Sequence, residues 1–401
     1  MKILRMHNDW TKNERRRKEN SFGGCGYYRV KKIAEQLSPE HEVDFWGREW
    51  HDLYEEFKLK YKNPEKTNEE FFGFIFQTYD MVWLHYINNP TMFAWMRVAA
   101  DKYGKKLVMD IDDNFLDVNE SNPAIKEIGG GQYKIKKGKY HATDATRKVT
   151  ELAAMFSLCD AITVSTVPLK EKLHEHFQTV HGIDVPIFVV PNANDINDWT
   201  FEPVAKKEGI VIGYMGGVSH HDDLKVVLPA IKEIMEKYEF VGFQLMGQLT
   251  FKDAKKVFKG WPQALRSKVI MVSPTSTFQE FPEWMSLQPW DIGIAPLTQD
   301  AFNECKSHIK WMEYSMYEIP TIASRVYPYY KDVLGRPTIE DGETGMLCEK
   351  DDWVNIFTAL IEDEGLRLSL GKNAKEAIIK NWQYSSLKPH ILKVVEEIRS
   401  L

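Results

Sequence analysis

Short apolar runs alternate with segments of helical apolar spacing along the whole chain. This alternation is typical of βαβ units, in which parallel strands form a sheet that helices cover on both faces. Apolar runs of four to six residues are too short for core helices and are therefore predicted to be strands. The predicted strands are 2–6, 43–46, 81–85, 106–111, 161–165 and 187–190, and then 210–214, 241–246, 269–272, 291–295 and 321–324.

A polar connector divides this alternation into two series. The sequence Pro-Asn-Ala-Asn-Asp at 191–195 ends the first series, and the second begins at Ile210. The pattern predicts an α/β fold with two Rossmann-like, doubly wound parallel-sheet domains, 1–195 and 205–380, that face a central cleft. The tail from about 382 to 401 has apolar residues at helical spacing, and we expect its helix to cross back onto the first domain.

Composition is that of an ordinary globular protein. The chain has 401 residues, of which 43% are hydrophobic and 27% charged, and its net charge is −6. No apolar run reaches the roughly 18 residues of a membrane-spanning helix, and the N-terminal sequence becomes polar too early for a signal peptide. The four cysteines lack the spacing of a disulfide framework or a zinc motif. We therefore expect a cytoplasmic protein, whose oligomeric state the sequence leaves open.

The segment 291–324 is the most informative about function. A buried strand, a polar loop, a helix and another strand follow one another there, and we expect the helix to carry Lys306, Ser307, Lys310 and Glu313. Backbone N–H groups and cations at a helix start bind anions. A carboxylate two turns later can accept hydrogen bonds from a pair of sugar hydroxyls. The segment therefore predicts a site for a nucleoside-diphosphate sugar.

The same segment resembles the donor-binding motif of GT-B glycosyltransferases of the large retaining family 4 type. In that family a helix with a glutamate precedes a small-residue turn and the pattern P-x-[IV]-[AG]-S, which Glu313 and residues 320–324 match. A second glutamate is frequent at the position that Cys305 occupies here, and Glu304 lies one residue earlier. The resemblance implies a GT-B fold, a UDP- or GDP-sugar as donor, retention of anomeric configuration, and no required metal or other cofactor.

The resemblance also implies roles for individual residues. Donor binding is assigned to Lys306 and Ser307 at the diphosphate and to Glu313 at the ribose. The residues expected to act in catalysis are His85, Glu304 and Lys310, of which His85 and Glu304 would contact the transferred sugar. His85 ends the predicted strand 81–85, and a purely structural histidine is an equally open interpretation.

Glycine-rich turns follow the first predicted strand of each half. Gly23 and Gly24 lie in the first turn, and Gly216 and Gly217 lie in the second, with His220 shortly after it. Glycines let backbone N–H groups approach a phosphate or sugar closely. By the resemblance all five residues are assigned to donor binding, although an ordinary strand-to-helix turn remains the alternative.

The second turn departs from the family pattern. The arginine and lysine that relatives carry there are missing, so we expect Lys306 and Lys310 to supply the positive charge at the phosphates. Asp222 and Asp223 are expected to cap the following helix. They and His220 have no third partner at metal-ligand spacing, so a metal site is not expected.

Charged residues of the first half are candidates for acceptor binding. Acidic side chains follow the predicted strand 106–111, and basic runs occur near the N-terminus and at 134–140. Charge runs are usually solvated, but cationic loops would also suit a lipid-linked diphosphate or a nucleic acid. The residues assigned to the acceptor are Arg15, Arg16, Arg17, Asp112 and Asp113, with acceptor binding or loop structure preferred over metal binding for the acidic pair.

The predicted function is thus transfer of a sugar from a nucleotide sugar to a hydroxyl of an acceptor glycan, a lipid-linked sugar or modified DNA. Two alternatives stay open. A phage-type enzyme that glycosylates modified DNA bases is motivated by the basic loops. A catalytically silent sugar-nucleotide binding protein is motivated by the missing first glutamate and the missing arginine–lysine pair. The sequence does not identify the sugar, the nucleotide base or the acceptor.

Overall fold

The computed structural model of the chain describes most of its length. The described ranges are 1–7, 22–87, 89–118, 133–136, 139–142, 144–205, 208–217, 220, 222–247, 257–273, 275, 277–349 and 352–401. For 133–136, 139–142 and 144–148 only the backbone elements are described. The predicted acceptor residues Arg15, Arg16 and Arg17 lie outside the described residues.

The first sheet contains six parallel strands from the first half of the chain. They are β1 (Lys2–Met6), β2 (Glu42–Trp46), β3 (Met81–His85), β4 (Lys106–Ile111), β7 (Ala161–Val164) and β8 (Ile187–Val189). Their spatial order is β2-β1-β3-β4-β7-β8, so the winding direction reverses between β1 and β3. A separate antiparallel hairpin of β5 (Tyr133–Lys136) and β6 (Lys139–Ala142) was not predicted.

The second sheet has the same construction. Its strands are β9 (Ile210–Gly216), β10 (Val241–Gly247), β11 (Val269–Val272), β12 (Ile292–Ala295), β13 (Thr321–Ser324) and β14 (Met346–Cys348). They lie in the order β11-β10-β9-β12-β13-β14, with the reversal between β9 and β12. Every predicted strand is present with its bounds within two residues, and β14 was missed because three residues carry no readable periodicity. The predicted fold of two doubly wound parallel sheets is confirmed.

Helices flank the sheet in the first half, and several have sequence signals at both ends. Asn63, Asn89 and Thr166 each accept a hydrogen bond from a backbone N–H in the first turn, and proline follows within two residues. Gly104 and Gly182 end two helices in the left-handed conformation. The helices are α1 (Lys32–Leu37), which continues a π-helical turn at Gly26–Lys31, α2 (Arg48–Tyr61), α3 (Pro64–Thr78), α4 (Pro90–Tyr103), α5 (Asp144–Phe156) and α6 (Val167–His181).

The remaining helices belong to the second half and the C-terminal tail. Two 3-10 turns, Ile196–Asp198 and Phe278–Glu280, accompany them, and none of the described helices is long and apolar enough to span a membrane. The helices are α7 (Asp223–Lys237), α8 (Gln263–Arg266), α9 (Phe281–Ser286), α10 (Ala301–Glu304), α11 (Ile309–Ser315), α12 (Tyr327–Tyr330), α13 (Trp353–Glu362), α14 (Glu364–Asn381) and α15 (Tyr384–Ser400).

The C-terminal helix α15 packs on elements of the first half. The Tyr384 hydroxyl donates to the backbone oxygen of Tyr28 at 2.7 Å, and the Lys388 Nζ lies 2.9 Å from a carboxylate oxygen of Glu40. The Leu387 and Ile391 side chains of α15 are fully buried. We keep the division into domains 1–195 and 205–380, with a helix of 382–401 that crosses back, as a proposal that these contacts and the two separate sheets support.

Helix α14 packs closely against the chain that leaves α11, and one glycine permits this approach. A Cβ atom on Gly371 would lie 2.0 Å from the backbone oxygen of Glu318. The clashing atom belongs to the backbone of Glu318, which cannot move aside as the end of a flexible side chain could. Gly371 therefore fixes the distance between α14 and α11, the helix that carries Lys310 and Glu313.

We expect Gly371→Ala to destabilise the protein although alanine favours a helix. Overpacking of this kind costs about 1–3 kcal/mol. The matched control is Gly73→Ala in α3, where the new Cβ would meet only the Tyr103 hydroxyl at an ordinary 3.7 Å. That control should gain roughly 0.5–1 kcal/mol of helix stability. Urea unfolding monitored by circular dichroism compares the two variants, and equal effects would contradict the close approach at Gly371.

Candidate functional site

A cavity of about 700 Å³ lies at the carboxyl ends of the two sheets. Parallel α/β sheets bind ligands at this edge, where the winding direction reverses. Residues of both halves line it. From the first half they are Gly24, Cys25, Tyr28, Asp112, Asp113 and Asn192, and from the second half Met215, Gly216, Gly217, His220, Met246, Gly247, Thr275, Thr277, Phe278, Phe281, Leu297, Lys306, Ser307, Ile309, Lys310, Glu313 and Tyr329.

The segment that the sequence singled out forms one wall of the cavity, with one difference from expectation. Helix α11 begins only at Ile309, so Lys306 and Ser307 lie in the loop before it and not on the helix. Contacts with the first half hold this loop. The Ser307 Oγ accepts a hydrogen bond from the Asn192 side chain at 3.1 Å, and Lys306 forms an ion pair with Asp113 at 2.7 Å.

The two lysines of this wall have different partners. Burial alone would lower the pKa of Lys306, but the Asp113 carboxylate outweighs burial and raises it. Lys310 instead donates a hydrogen bond to the Nε2 atom of His220 at 2.9 Å. Burial lowers the pKa of Lys310 to about 8, the nearby Lys306 charge adds to this effect, and Asp223 opposes it. Lys306 is therefore neutralised directly by a carboxylate, whereas Lys310 is not.

Behind Lys310, His220 and Asp223 form a hydrogen-bonded pair. The Nδ1 atom of His220 lies 2.7 Å from a carboxylate oxygen of Asp223. Burial and the Lys310 charge lower the pKa of His220 to about 4, so its ring is neutral at pH 7. Asp222 and Asp223 were expected to cap α7 and to compensate its dipole. Asp222 is the residue before the helix but makes no capping hydrogen bond with its side chain, and Asp223 lies in the first turn, where an acidic side chain suits the dipole, and binds Thr298 in the loop after β12.

Glu313 reaches the cavity from the second turn of α11. Its carboxylate accepts a hydrogen bond from the Tyr28 hydroxyl at 2.9 Å. Only 8% of the residue is exposed, and burial raises the pKa of Glu313 to about 7. Because Tyr28 belongs to the π-helical turn of the first half, this contact joins the two halves across the cleft.

A buried network supports the wall formed by the first half. Arg29 forms two hydrogen bonds with the Asp110 carboxylate, at 2.6 and 3.0 Å, and donates a third to Asn192 at 3.0 Å. Asp110 also accepts from Thr163 at 2.6 Å and from the Nδ1 atom of His85 at 2.8 Å. Burial would raise the pKa of Asp110, but the charges and hydrogen bonds of Arg29 and His85 together outweigh it and hold this pKa well below its ordinary value.

Two of the residues predicted to be catalytic lie beside the cavity. Neither His85 nor Glu304 is among the described residues that line it. His85 is buried against Asp110, and although burial would lower the pKa of His85, the Asp112 and Asp110 carboxylates outweigh it and raise this pKa. Glu304 ends the short helix α10. Their catalytic roles stay predictions.

Most of the other predicted residues do line the cavity, namely Gly24, Gly216, Gly217, His220, Asp112 and Asp113. Gly23 is not among the lining residues. Among the described residues, ligand atoms of Cys25, His85 and Asp112 come within 4.8 Å of one another, a set that zinc-type ions accept. The prediction that the donor site needs no metal is untested by this geometry.

Sequence reasoning missed the partners of the site residues. Arg29 and Asp110 lie 81 positions apart, and Tyr28 and Glu313 lie 285 apart. The only available signal was indirect, because an arginine and an aspartate in otherwise apolar or aromatic segments must be paired if they are buried.

Comparisons with known proteins bear on the fold. No family model matches the chain, and no curated protein sequence matches it. Among solved structures, a glycosyltransferase from Rickettsia africae is similar, with a TM-score of 0.62 and 14% identity over 99% of this chain and 98% of that one. The lipopolysaccharide outer core galactosyltransferase WaaB has a TM-score of 0.57 and 15% identity over 99% of this chain and all 100% of that one.

A third similar structure is a single-residue mutant of S. aureus TarM in complex with fondaparinux, alpha-GlcNAc-glycerol and UDP. Its TM-score is 0.52, with 14% identity over 80% of this chain and 55% of that one, so this chain matches just over half the length of TarM. At such identities the similarity shows the fold alone. The protein has the GT-B fold of these glycosyltransferases, as the resemblance of its sequence predicted.

We expect Asp110→Ala to destabilise the protein strongly, because it leaves the Arg29 guanidinium buried without its carboxylate. Removing one partner of a buried ion pair costs about 3–5 kcal/mol. The matched control is Asp101→Asn, which breaks the Arg97–Asp101 ion pair at a carboxylate that is 67% exposed. Exposed pairs contribute less than about 1 kcal/mol. Urea unfolding of both variants measures the difference, and a loss below about 1 kcal/mol for Asp110→Ala would show that the pair is dispensable.

Proposed function

We propose that the protein is a glycosyltransferase that moves a sugar from a nucleoside-diphosphate sugar to an acceptor hydroxyl. One observation carries the proposal: Lys306, Lys310 and Glu313 converge on a single cavity between the carboxyl ends of two doubly wound sheets. Two cations suit a diphosphate, and a buried carboxylate suits the hydroxyl pair of a ribose. Pockets of several hundred Å³ between two domains are typical of small-molecule sites.

The mechanism that these residues support is stabilisation of a leaving group. When the bond between sugar and diphosphate breaks, negative charge grows on the diphosphate. None of the described carboxylates contacts Lys310 directly, so its ammonium can pair with that charge, and Lys306 can join it by exchanging Asp113 for phosphate. The backbone at Gly216 and Gly217 lines the same cavity and can approach a phosphate closely. Retention of configuration is proposed from the sequence resemblance.

The donor is proposed to be a UDP- or GDP-sugar that needs no further cofactor. The TarM structure contains UDP, which supports the proposal of a nucleoside diphosphate as the ligand of this chain. In this chain the ribose would lie at Glu313, where the Tyr28 hydroxyl already donates a hydrogen bond. Burial favours the neutral form of Glu313, and hydrogen bonds from sugar hydroxyls would favour its charged form.

The acceptor would approach from the wall formed by the first half, where Asp112 and Asp113 line the cavity. A glycan, a lipid-linked sugar and modified DNA remain the proposed acceptor classes. The alternative of a silent nucleotide-sugar binding protein is tested directly by incubating the purified protein with a panel of UDP- and GDP-sugars. Release of nucleoside diphosphate supports the transferase, whereas binding without hydrolysis or transfer supports the silent alternative, and no binding at all contradicts both.

We expect Glu313→Ala to weaken binding of the cognate nucleoside diphosphate. Loss of charged hydrogen bonds to the ribose costs about 1.5–3 kcal/mol. The control is Glu376→Ala, at an exposed carboxylate of α14, which should leave affinity unchanged. Calorimetric titration measures both variants, and an unchanged affinity for Glu313→Ala would remove this residue from the site.

We expect kcat/KM for donor hydrolysis to fall as the pH rises through about 8, where Lys310 loses its proton. The pH profile of kcat/KM reports groups of the free enzyme. The Lys310→Arg variant keeps its charge to much higher pH, so its decline should move upward. Initial rates of donor hydrolysis by the native protein and by Lys310→Arg, measured from pH 6 to 10, give the two pH profiles to be compared. An identical alkaline decline in both proteins would place the titrating group elsewhere.

A further inference from the structure

We propose that His220 and Asp223 are positioning residues that aim the Lys310 ammonium into the cleft. The three side chains form a hydrogen-bonded chain, Asp223–His220–Lys310, that we call the relay. The identity of the anion, a nucleoside diphosphate, rests on the proposed function. The relay itself does not depend on that function. It revises the expected role of His220, which would act on the phosphate through Lys310 and not by direct contact.

The geometry of the relay is continuous. Asp223 lies 2.7 Å from the Nδ1 atom of His220, whose Nε2 atom lies 2.9 Å from the Lys310 Nζ. Asp223 is 2% exposed, Lys310 is 6% exposed and the His220 side chain between them is 13% exposed, so water screens these contacts less than it would at a surface. A neutral imidazole that donates from Nδ1 accepts at Nε2, which is the arrangement that a lysine donor requires.

The Asp223 end of the relay is fixed from the opposite side. Its second carboxylate oxygen accepts hydrogen bonds from the Thr298 backbone N–H and from the Asn303 side chain, each at 2.8 Å. These partners belong to the loop after β12 and to α10. The aspartate thus has one defined orientation, and both ring nitrogens of His220 have protein partners. No imidazole N–H remains for a phosphate, so His220 affects the anion only through Lys310.

The relay explains why Lys306 and Lys310 differ in how their charges are compensated. Lys306 contacts a carboxylate directly and must exchange Asp113 when an anion binds. Lys310 has its counter-carboxylate one imidazole away, so one of its three N–H groups is oriented while the remaining ones can donate to the anion. Besides burial, five described groups act on its charge: Asp223 and His220 behind it, Glu313 on its own helix, Lys306 in the loop before that helix, and Asp113 after β4. Asp223 is the largest of the influences that favour the ammonium form.

The charge effect can be measured without any substrate. Acetic anhydride acetylates only the neutral amine, and peptide mass spectrometry follows Lys310 alone as the pH changes. Asp223→Asn removes the charge with little change in shape, so more Lys310 is neutral, and we expect about fivefold faster modification at pH 7. The control is Asp222→Asn, because Asp222 pairs with the exposed Lys225 at 2.7 Å and should leave Lys310 unchanged. An unchanged rate in Asp223→Asn would overturn the relay.

The positioning effect is tested with UDP as the probe in calorimetric titrations. Asp223→Asn should weaken UDP about tenfold in the native background. In a Lys310→Met background the same substitution should cause no further loss, because nothing remains to be positioned. A loss of equal size in both backgrounds would show that Asp223 is only a scaffold, and would overturn the proposal.

His220 provides a second pair of variants if Asp223→Asn fails to fold. Glutamine presents an acceptor and a donor on one amide, as the neutral imidazole does, and leucine presents neither. We expect His220→Gln to keep most of the UDP affinity and His220→Leu to lose about tenfold. Equal affinities would overturn the relay. If UDP does not bind the native protein while Asp223→Asn still accelerates acetylation, the proposed donor fails and the relay stands.

Discussion

The buried ion pair between Arg29 and Asp110 is the contact on which one wall of the cleft depends. It fastens the π-helical turn that follows the glycines to the end of β4. Arg29 also holds Asn192, which in turn holds the Ser307 loop of the second half. A guanidinium fits this task because its planar fork can bind a carboxylate and further acceptors together. The position of the loop that carries Ser307 therefore depends on a charge pair that lies behind the cavity wall.

The two halves also meet through contacts that line the cleft or border it. The Tyr28 hydroxyl contacts Glu313, and the ring of the adjacent Tyr27 stacks on Phe278 at 3.8 Å. Asn194 donates to the backbone of α11 at 3.0 Å. Because these contacts come from the chain next to β1 and from the connector after β8, the first half positions α11 from two sides. The site is accordingly a property of both halves together, although the proposed donor contacts are mostly in the second.

Local patterns in the sequence predicted the sheets but not the partners of the charged residues. Apart from β2 and β11 at the edges of the two sheets, the apolar runs are largely buried on both faces, so each can be predicted as a strand without knowledge of its neighbours. The motif at 320–324 is also a local sequence feature, and for that reason it could identify the segment that contains Lys310. The pairing of Asp223 with His220 could not be predicted from the sequence, because an aspartate at a helix start is equally well explained as a helix cap. Only the three-dimensional structure shows that Asp223 pairs with His220, just as only the structure shows that Arg29 pairs with Asp110.

The buried ionisable groups of this protein are of two kinds, which differ in whether their surroundings favour the charged or the neutral form. Around Asp110, arginine and hydrogen-bond donors outweigh burial and stabilise the charged carboxylate, as expected of a structural network. Around Lys310 and Glu313, burial dominates and drives the pKa values toward 8 and 7, so the surroundings leave these charges incompletely compensated. An anion beside Lys310 and hydroxyl donors beside Glu313 would supply what is missing. That difference in compensation, more than the mere presence of charge, makes the cleft the candidate functional site.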